Sequence, residues 1–243
     1  MNLQLTGLHA VVTGGSSGIG AAIVQALAAE GCQVSFCARR QVQIDEALRL
    51  VAHLPGTVQA HAVSVTDSAN FTKWLEVLGA FDIFIPNVSA LSANWKESLL
   101  TDIQATVDAT EAAVPFLLKS PHGAITYIGS KAGSLAAPTS ASYGASKAAM
   151  AHYMKSLALR LLPTVRVNTV SPGDTLFDGG LWDQVRLNEP EVFETVLQRN
   201  PMKRLATPAE IARVVAFVSS PAAGFVAGAN WYVDGASTNH VQF

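Results

Sequence analysis

The stretch Leu8-His9-Ala10-Val11-Val12-Thr13-Gly14-Gly15-Ser16-Ser17-Gly18-Ile19-Gly20 decides how the rest of the chain is read. Its first six residues are a short apolar run of strand length, ended by glycines. From Ile19 to Glu30 the sequence is Ala-rich and helical in character, and Gly31 stops it. A strand that passes through a glycine-rich turn into a helix suits a phosphate group. Glycines let the backbone turn sharply and come close to the ligand. The helix start adds free N–H groups and the positive end of the helix dipole. No Gly-Lys pair occurs in the chain, which excludes the ATP-binding P-loop. A tight turn without a ligand is the competing reading of this stretch taken alone.

Working outward, strand-length apolar runs alternate with helix-length segments. Strands are expected at 34–38, 58–65, 82–85, 124–128, 165–170 and 231–233. Helices are expected from 39 to about 53 and at 71–78, 99–119, 143–162 and 208–219. Thr207 caps the last of these, with Pro208 in its first turn. Residues 174–202 read as irregular, with short helical pieces. This alternation predicts a parallel sheet covered by helices on both faces, with ligands beyond the carboxyl ends of the strands.

Composition narrows the class. Only 14% of the 243 residues are charged, against about 25% in a typical soluble domain. Intrinsic disorder is excluded. The longest stretch without Lys, Arg, Asp or Glu runs from Met1 to Ala29, and its glycines break it as a membrane span or signal peptide. The expected compartment is therefore cytoplasmic. Cys32 and Cys37 have neither disulfide nor zinc spacing. The net charge of −2 leaves no nucleic-acid footprint. The six histidines are scattered, so no metal site is expected. His152 reads as packing or interface.

A second constellation is Tyr143-Gly144-Ala145-Ser146-Lys147. Tyr and Lys four apart share one face of a helix. A nearby ammonium favours tyrosinate and would lower the phenol pKa. Ser130 follows the fifth strand, where its hydroxyl can hold a substrate oxygen. Together, Thr13-Gly14-x-x-x-Gly18-Ile19-Gly20, Ser130, Tyr143-x-x-x-Lys147, Ser171-Pro172-Gly173, Gly228 and Val233-Asp234-Gly235 resemble the short-chain dehydrogenase/reductase family. The resemblance covers nearly the whole chain. It implies one Rossmann-type α/β domain over 1–243, a doubly wound sandwich around a mainly parallel seven-stranded sheet. The implied chemistry is hydride transfer between a nicotinamide and a carbonyl or alcohol carbon. Tyr143 would be the proton donor or acceptor, Lys147 the partner of the cofactor ribose, and Ser130 the holder of the substrate oxygen.

The same resemblance implies a cofactor site made of Gly14, Ser16, Ser17, Gly18, Ile19 and Gly20, with Asn87, Val88, Tyr143, Lys147, Pro172, Gly173 and Thr175. Counting 18 residues from Gly20 reaches Ala38, where an NAD-selective carboxylate would stand. Arg39 and Arg40 follow instead, and a guanidinium can fork onto a 2′-phosphate. NADP(H) is therefore expected over NAD(H). Three positions depart from the family pattern. Ser64, followed by Val65, replaces an adenine-side Asp. Val88-Ser89 replaces Ala-Gly. Asp102, seven residues after Trp95 and 13 before Pro115, stands where the family carries a catalytic Asn. The acid is either a tolerated near-isostere or a partner for Lys147 through a water.

The substrate side is expected from Ser89, Leu91, Trp95, Leu135, Asp174, Leu176, Phe177 and Trp182, with 174–202 as a lid that Gly179-Gly180 can hinge. Leu181 and Asp178 belong to that lid, and Lys131 is expected to be exposed. This lining suits a hydrophobic or aromatic ketone. A 3-oxoacyl thioester is the alternative substrate, and a non-catalytic nucleotide-binding subunit is the rival class. Small residues Ala105, Thr106, Ala109, Ala112 and Ala113 in one long helix, and Ala148, Ala149, Ala151 and Ala158 in the next, suit close packing. In the family such helices pair across a dimer axis, so a homotetramer or homodimer is expected, with a second interface near Trp231 and Phe243.

Overall fold

The computed structural model describes residues 1–239 and 241. Seven parallel strands form one sheet in the order β3-β2-β1-β4-β5-β6-β7. They are β1 (His9–Thr13), β2 (Gln33–Ala38), β3 (Val58–Ala62), β4 (Ile83–Ile85), β5 (Ala124–Ile128), β6 (Arg166–Pro172) and β7 (Asn230–Val233). Every residue of β1 and β5 is buried, because helices cover both faces of the sheet. Side chains alternate between the two layers. Ala10 and Val12 join the core of α1 (Gly18–Ala29), α2 (Gln41–Val51) and α9 (Pro208–Ser219). Val11 joins the opposite core of α3 (Ser68–Leu78), α5 (Thr106–Leu117) and α6 (Ala141–Leu161). The chain winds from β1 out to β3, then returns to place β4 on the other side of β1. That reversal opens a crevice at the carboxyl ends of β1 and β4.

Two segments differ from the sequence expectation. The helix expected over 99–119 starts earlier and is not uniform: a single turn, α4 (Trp95–Glu97), leads into a π-helical segment Ser98–Ala105 and then α5. Within it, Thr106 Oγ1 donates to the carbonyl of Thr101, five residues back, at 3.1 Å. Apolar spacing cannot report a π-turn, which widens the helix without ending it. The irregular stretch expected at 174–202 holds two helices, α7 (Leu181–Asn188) and α8 (Pro190–Arg199). No side chain of α8 is buried, so no buried face marks it in the sequence. Pro190 opens it at the position where a missing N–H costs nothing.

The reciprocal cap of α9 is formed: Thr207 N donates to Glu210 Oε2 at 2.9 Å, and Glu210 N to Thr207 Oγ1 at 3.4 Å. Cys32 and Cys37 are free and buried, and burial pushes both thiols up to about 12. The small-residue stripes divide. Ala105, Thr106, Ala109, Ala113 and Ala158 are buried in the chain's own core, while Ala148 and Ala149 are exposed. His152 is exposed on α6. Trp231 packs edge-on against Phe217, with ring centroids 6.1 Å apart. Phe243 lies outside the described residues.

Candidate active site

The crevice is a cleft of about 830 Å³, and the glycine turn forms its floor. Gly14 and Gly18 adopt φ of +69° and +54°, angles that strain other residues. Gly20 meets a steric limit, since a Cβ there would lie 2.1 Å from the carbonyl oxygen of Gly14. Asn87 pins the floor from β4. Its Nδ2 donates to the carbonyls of Thr13 at 3.0 Å and Gly14 at 3.3 Å, and its N–H to Thr13 Oγ1 at 2.9 Å. The helix α1 leaves the turn with no side chain capping its first N–H groups. Those donors, and a cradle that any Cβ would fill, fit the pyrophosphate of a dinucleotide.

Ser16, Ser17, Gly18, Ile19, Arg39, Arg40, Ser64, Val65, Val88, Pro172, Gly173 and Thr175 line the same cleft. Arg39 and Arg40 are exposed beyond β2. Arg40 Nε donates to Gln43 Oε1 at 2.9 Å, whereas Arg39 makes no hydrogen bond or ion pair among the described residues. Ser64 Oγ shares a hydrogen bond of 2.8 Å with Thr66 Oγ1.

Opposite the turn, Ser130, Tyr143 and Lys147 reach the cleft from the end of β5 and from α6. Lys147 is 2% exposed. Its Nζ sits 5.6 Å from the centroid of the Tyr143 ring, and it donates to Tyr127 Oη and to the carbonyl of Ile128, both at 3.1 Å. Burial lowers its pKa to about 8, against the upward pull of Asp102. The Tyr143 pKa, expected to be lowered by Lys147, is instead raised. Burial holds the phenol above its ordinary value, the Ser130 hydroxyl beside it pulls downward, and Asp102 and Asp174 push it further up. The physical reason is that Lys147 is itself desolvated and bonded elsewhere, while two carboxylates face the phenol.

Asp102 lies in the π-helical segment, 1% exposed. Its Oδ1 accepts the backbone N–H of Ala90 at 3.0 Å, bracing the loop after β4. Its Oδ2 is buried with no hydrogen-bond partner among the described residues.

On the substrate side, Ser89, Leu91, Asp174, Phe177, Leu181 and Trp182 line the cleft. Trp95, Leu135 and Leu176 lie outside its lining, a correction to the sequence expectation. Trp95 opens α4 and is 55% exposed. The backbone of Leu176 turns toward Ala206, to whose carbonyl it donates at 2.8 Å. Asp178 is exposed. Lys131, expected to be exposed, is instead paired, its Nζ donating to Asp174 Oδ2 at 2.5 Å and Ser237 Oγ at 3.2 Å. The Phe177 ring lies against the turn, since a Cβ on Gly18 or Gly180 would meet it at 2.7 Å. Sequence reasoning missed Tyr127 and the Lys131–Asp174 pair. For Tyr127 the one available signal is a phenol within a strand of buried residues, Ala124–Ile128.

The family pattern described as enoyl-(acyl carrier protein) reductase matches residues 14–238. The isoepoxydon dehydrogenase of Penicillium expansum is 35% identical over 98% of this chain and 98% of its own length. The L-sorbose reductase of Gluconobacter frateurii, solved with NADPH and L-sorbose, superposes with a TM-score of 0.90 at 26% identity, covering 99% of this chain and 100% of that one. A 7α-hydroxysteroid dehydrogenase solved with NADH and 7-oxoglycochenodeoxycholic acid gives 0.89 at 25%, covering 99% and 98%. The chain belongs to the short-chain dehydrogenase/reductase family of NAD(P)-dependent oxidoreductases.

Proposed function

We propose that this enzyme uses NADP(H) to interconvert a ketone or aldehyde with an alcohol, on a substrate with an apolar or aromatic body. One observation carries the reading: Ser130, Tyr143 and Lys147 share a cleft with the glycine turn. A bound nicotinamide cofactor supplies or accepts the hydride. The chain's own residues handle position and protons. Ser130 Oγ orients the substrate oxygen. Tyr143 gives up its phenol proton in reduction and takes it back in oxidation. Its raised pKa keeps that proton on the phenol near neutral pH, which suits the acid role. Lys147 is the residue to hold the ribose beside it. Val65 and Val88 flank the cofactor, and Arg39, exposed and unengaged, is the charge available to a 2′-phosphate. Asp102 acts as a further member of the catalytic set through its charge.

Leu91, Phe177, Leu181 and Trp182 give the substrate side an apolar lining. A 3-oxoacyl thioester is the second reading, favoured by the acyl-carrier description of the matching family pattern. We also take the enzyme to work in the cytoplasm, where its two buried thiols stay reduced. Assembly as a homotetramer or homodimer is supported by the exposed Ala148, Ala149 and His152 on α6. Among the described residues no helix is long and apolar enough to cross a membrane.

The test is NADPH consumption against aliphatic, aromatic, sugar and acyl-thioester carbonyls, with wild type and Tyr143→Phe. Turnover in the wild type and its near-abolition in the variant, with NADPH fluorescence titrations unchanged, is the expected result. Near-normal turnover in Tyr143→Phe overturns the mechanism. Turnover of sugars or thioesters alone overturns the substrate class.

A further inference from the structure

Beneath the catalytic face lies a buried cluster that the hydride-transfer reading does not use. Tyr127, in the fourth position of β5, is fully buried. Its phenol oxygen accepts from Lys147 Nζ at 3.1 Å, and the ammonium also sits 5.0 Å from its ring centroid. The remaining acceptor of Lys147 among the described residues is a main-chain carbonyl, that of Ile128. Among the described residues, Tyr127 is thus the one side chain hydrogen-bonded to the lysine.

We propose that Tyr127 is a positioning residue for Lys147: its phenol oxygen fixes the ammonium near Tyr143 and, together with the Asp102 carboxylate, keeps it charged in a fully buried site. The inference rests on the reading of Lys147 as the lysine of the active site. An ammonium in this position pays for its desolvation unless acceptors compensate. The carbonyl of Ile128 and the phenol of Tyr127 supply two acceptors for its three donors, which leaves one donor for the cleft. Tyr127 is suited to this because burial holds its pKa well above the ordinary value, so it stays neutral. The ring centroids of Tyr127 and Tyr143 lie 5.0 and 5.6 Å from the ammonium.

The titratable groups around the lysine come from each packed element. Tyr127 comes from β5, Tyr143 from its own helix, and Asp102 from the π-helical segment. Asp174, from the loop after β6, acts on Tyr143. Asp102 spends one oxygen on Ala90 and has no protein partner for the other. Its charge therefore remains to favour the ammonium.

The sign follows from the loss of an acceptor. Replacing Tyr127 by Phe keeps the ring and removes the oxygen, so the charged form of Lys147 loses support and its pKa falls. Lysine-selective 13C NMR of the free protein reads this directly, with the Lys147 signal assigned by its loss in Lys147→Arg. The expected result is a fall of about one unit from wild type, with the alkaline limb of kcat/KM moved to lower pH, kcat lowered and KM little changed. Tyr127→Gln, which offers a carbonyl acceptor, should recover part of the shift. Tyr127→Met serves as the apolar variant if Tyr127→Phe does not fold.

A Lys147 titration and pH profile unmoved in the folded apolar variants overturn the proposal. So does a kcat loss with no shift in either, which is the mark of a packing role. A lysine shift in an enzyme that reduces no carbonyl supports the positioning role while overturning the proposed reaction, so the two failures are distinct.

Discussion

Lys131 Nζ and Asp174 Oδ2 stand 2.5 Å apart, bridging the residue after Ser130 to the loop after β6. The pair is only partly exposed, at 20% and 15% of the side chains, and Ser237 Oγ accepts a further bond from the lysine at 3.2 Å. The pair puts charge beside Ser130 on the side of the cleft that also holds Leu91, Phe177, Leu181 and Trp182, a polar wall that on the proposed reading suits a hydroxyl on the substrate.

Asp174→Asn tests that wall. Asp174 raises the Tyr143 pKa, so the variant should lose reductase activity at lower pH than wild type. It should also raise KM for hydroxyl-bearing ketones by about tenfold, the worth of one interaction of ~1.4 kcal/mol. Steady-state kinetics over pH, on paired ketones with and without the hydroxyl, measure both. An equal KM for the pair in both enzymes removes the polar wall from recognition.

Arg39→Ala addresses cofactor choice. A charge-assisted bond to a 2′-phosphate is worth roughly 1.5–3 kcal/mol, so the NADPH dissociation constant should rise by about one to two orders of magnitude. NADH affinity should stay as it is. Fluorescence titration with both cofactors gives the ratio, and a preserved NADPH preference takes Arg39 out of the selection.

Asp102→Asn separates charge from shape. The amide oxygen can still accept from Ala90 N, so the loop brace survives. The charge that raises both Lys147 and Tyr143 is gone. The alkaline limb of reduction should therefore begin at lower pH, and the acid limb of oxidation should likewise move down. Superimposable profiles would leave Asp102 with its bracing role alone.

The sheet was legible because buried parallel strands are written as unbroken apolar runs, and the glycine turn because Gly14, Gly18 and Gly20 admit no substitute at their angles or distances. Ser130, Tyr143 and Lys147 were legible as a family spacing. What escaped depends on three-dimensional contact. The direction of the Tyr143 shift is decided by burial and by two carboxylates from distant elements, not by the lysine one turn away. Trp95 reads as a pocket aromatic but stands 55% exposed at the start of α4. Tyr127 lies 20 positions before Lys147, and only the packing of β5 against α6 brings them together.

The helix α8 buries no side chain and stands with α7 outside the strands that carry the glycine turn and Ser130. No residue of 181–199 belongs to either core layer. On the proposed reading, chemistry and the part of recognition that Leu181 and Trp182 carry are separable inheritances in this chain. Natural variation can rewrite residues 181–199 while the proton-handling apparatus is passed on intact, and a grafted segment from a relative is the natural unit for recombining substrate range.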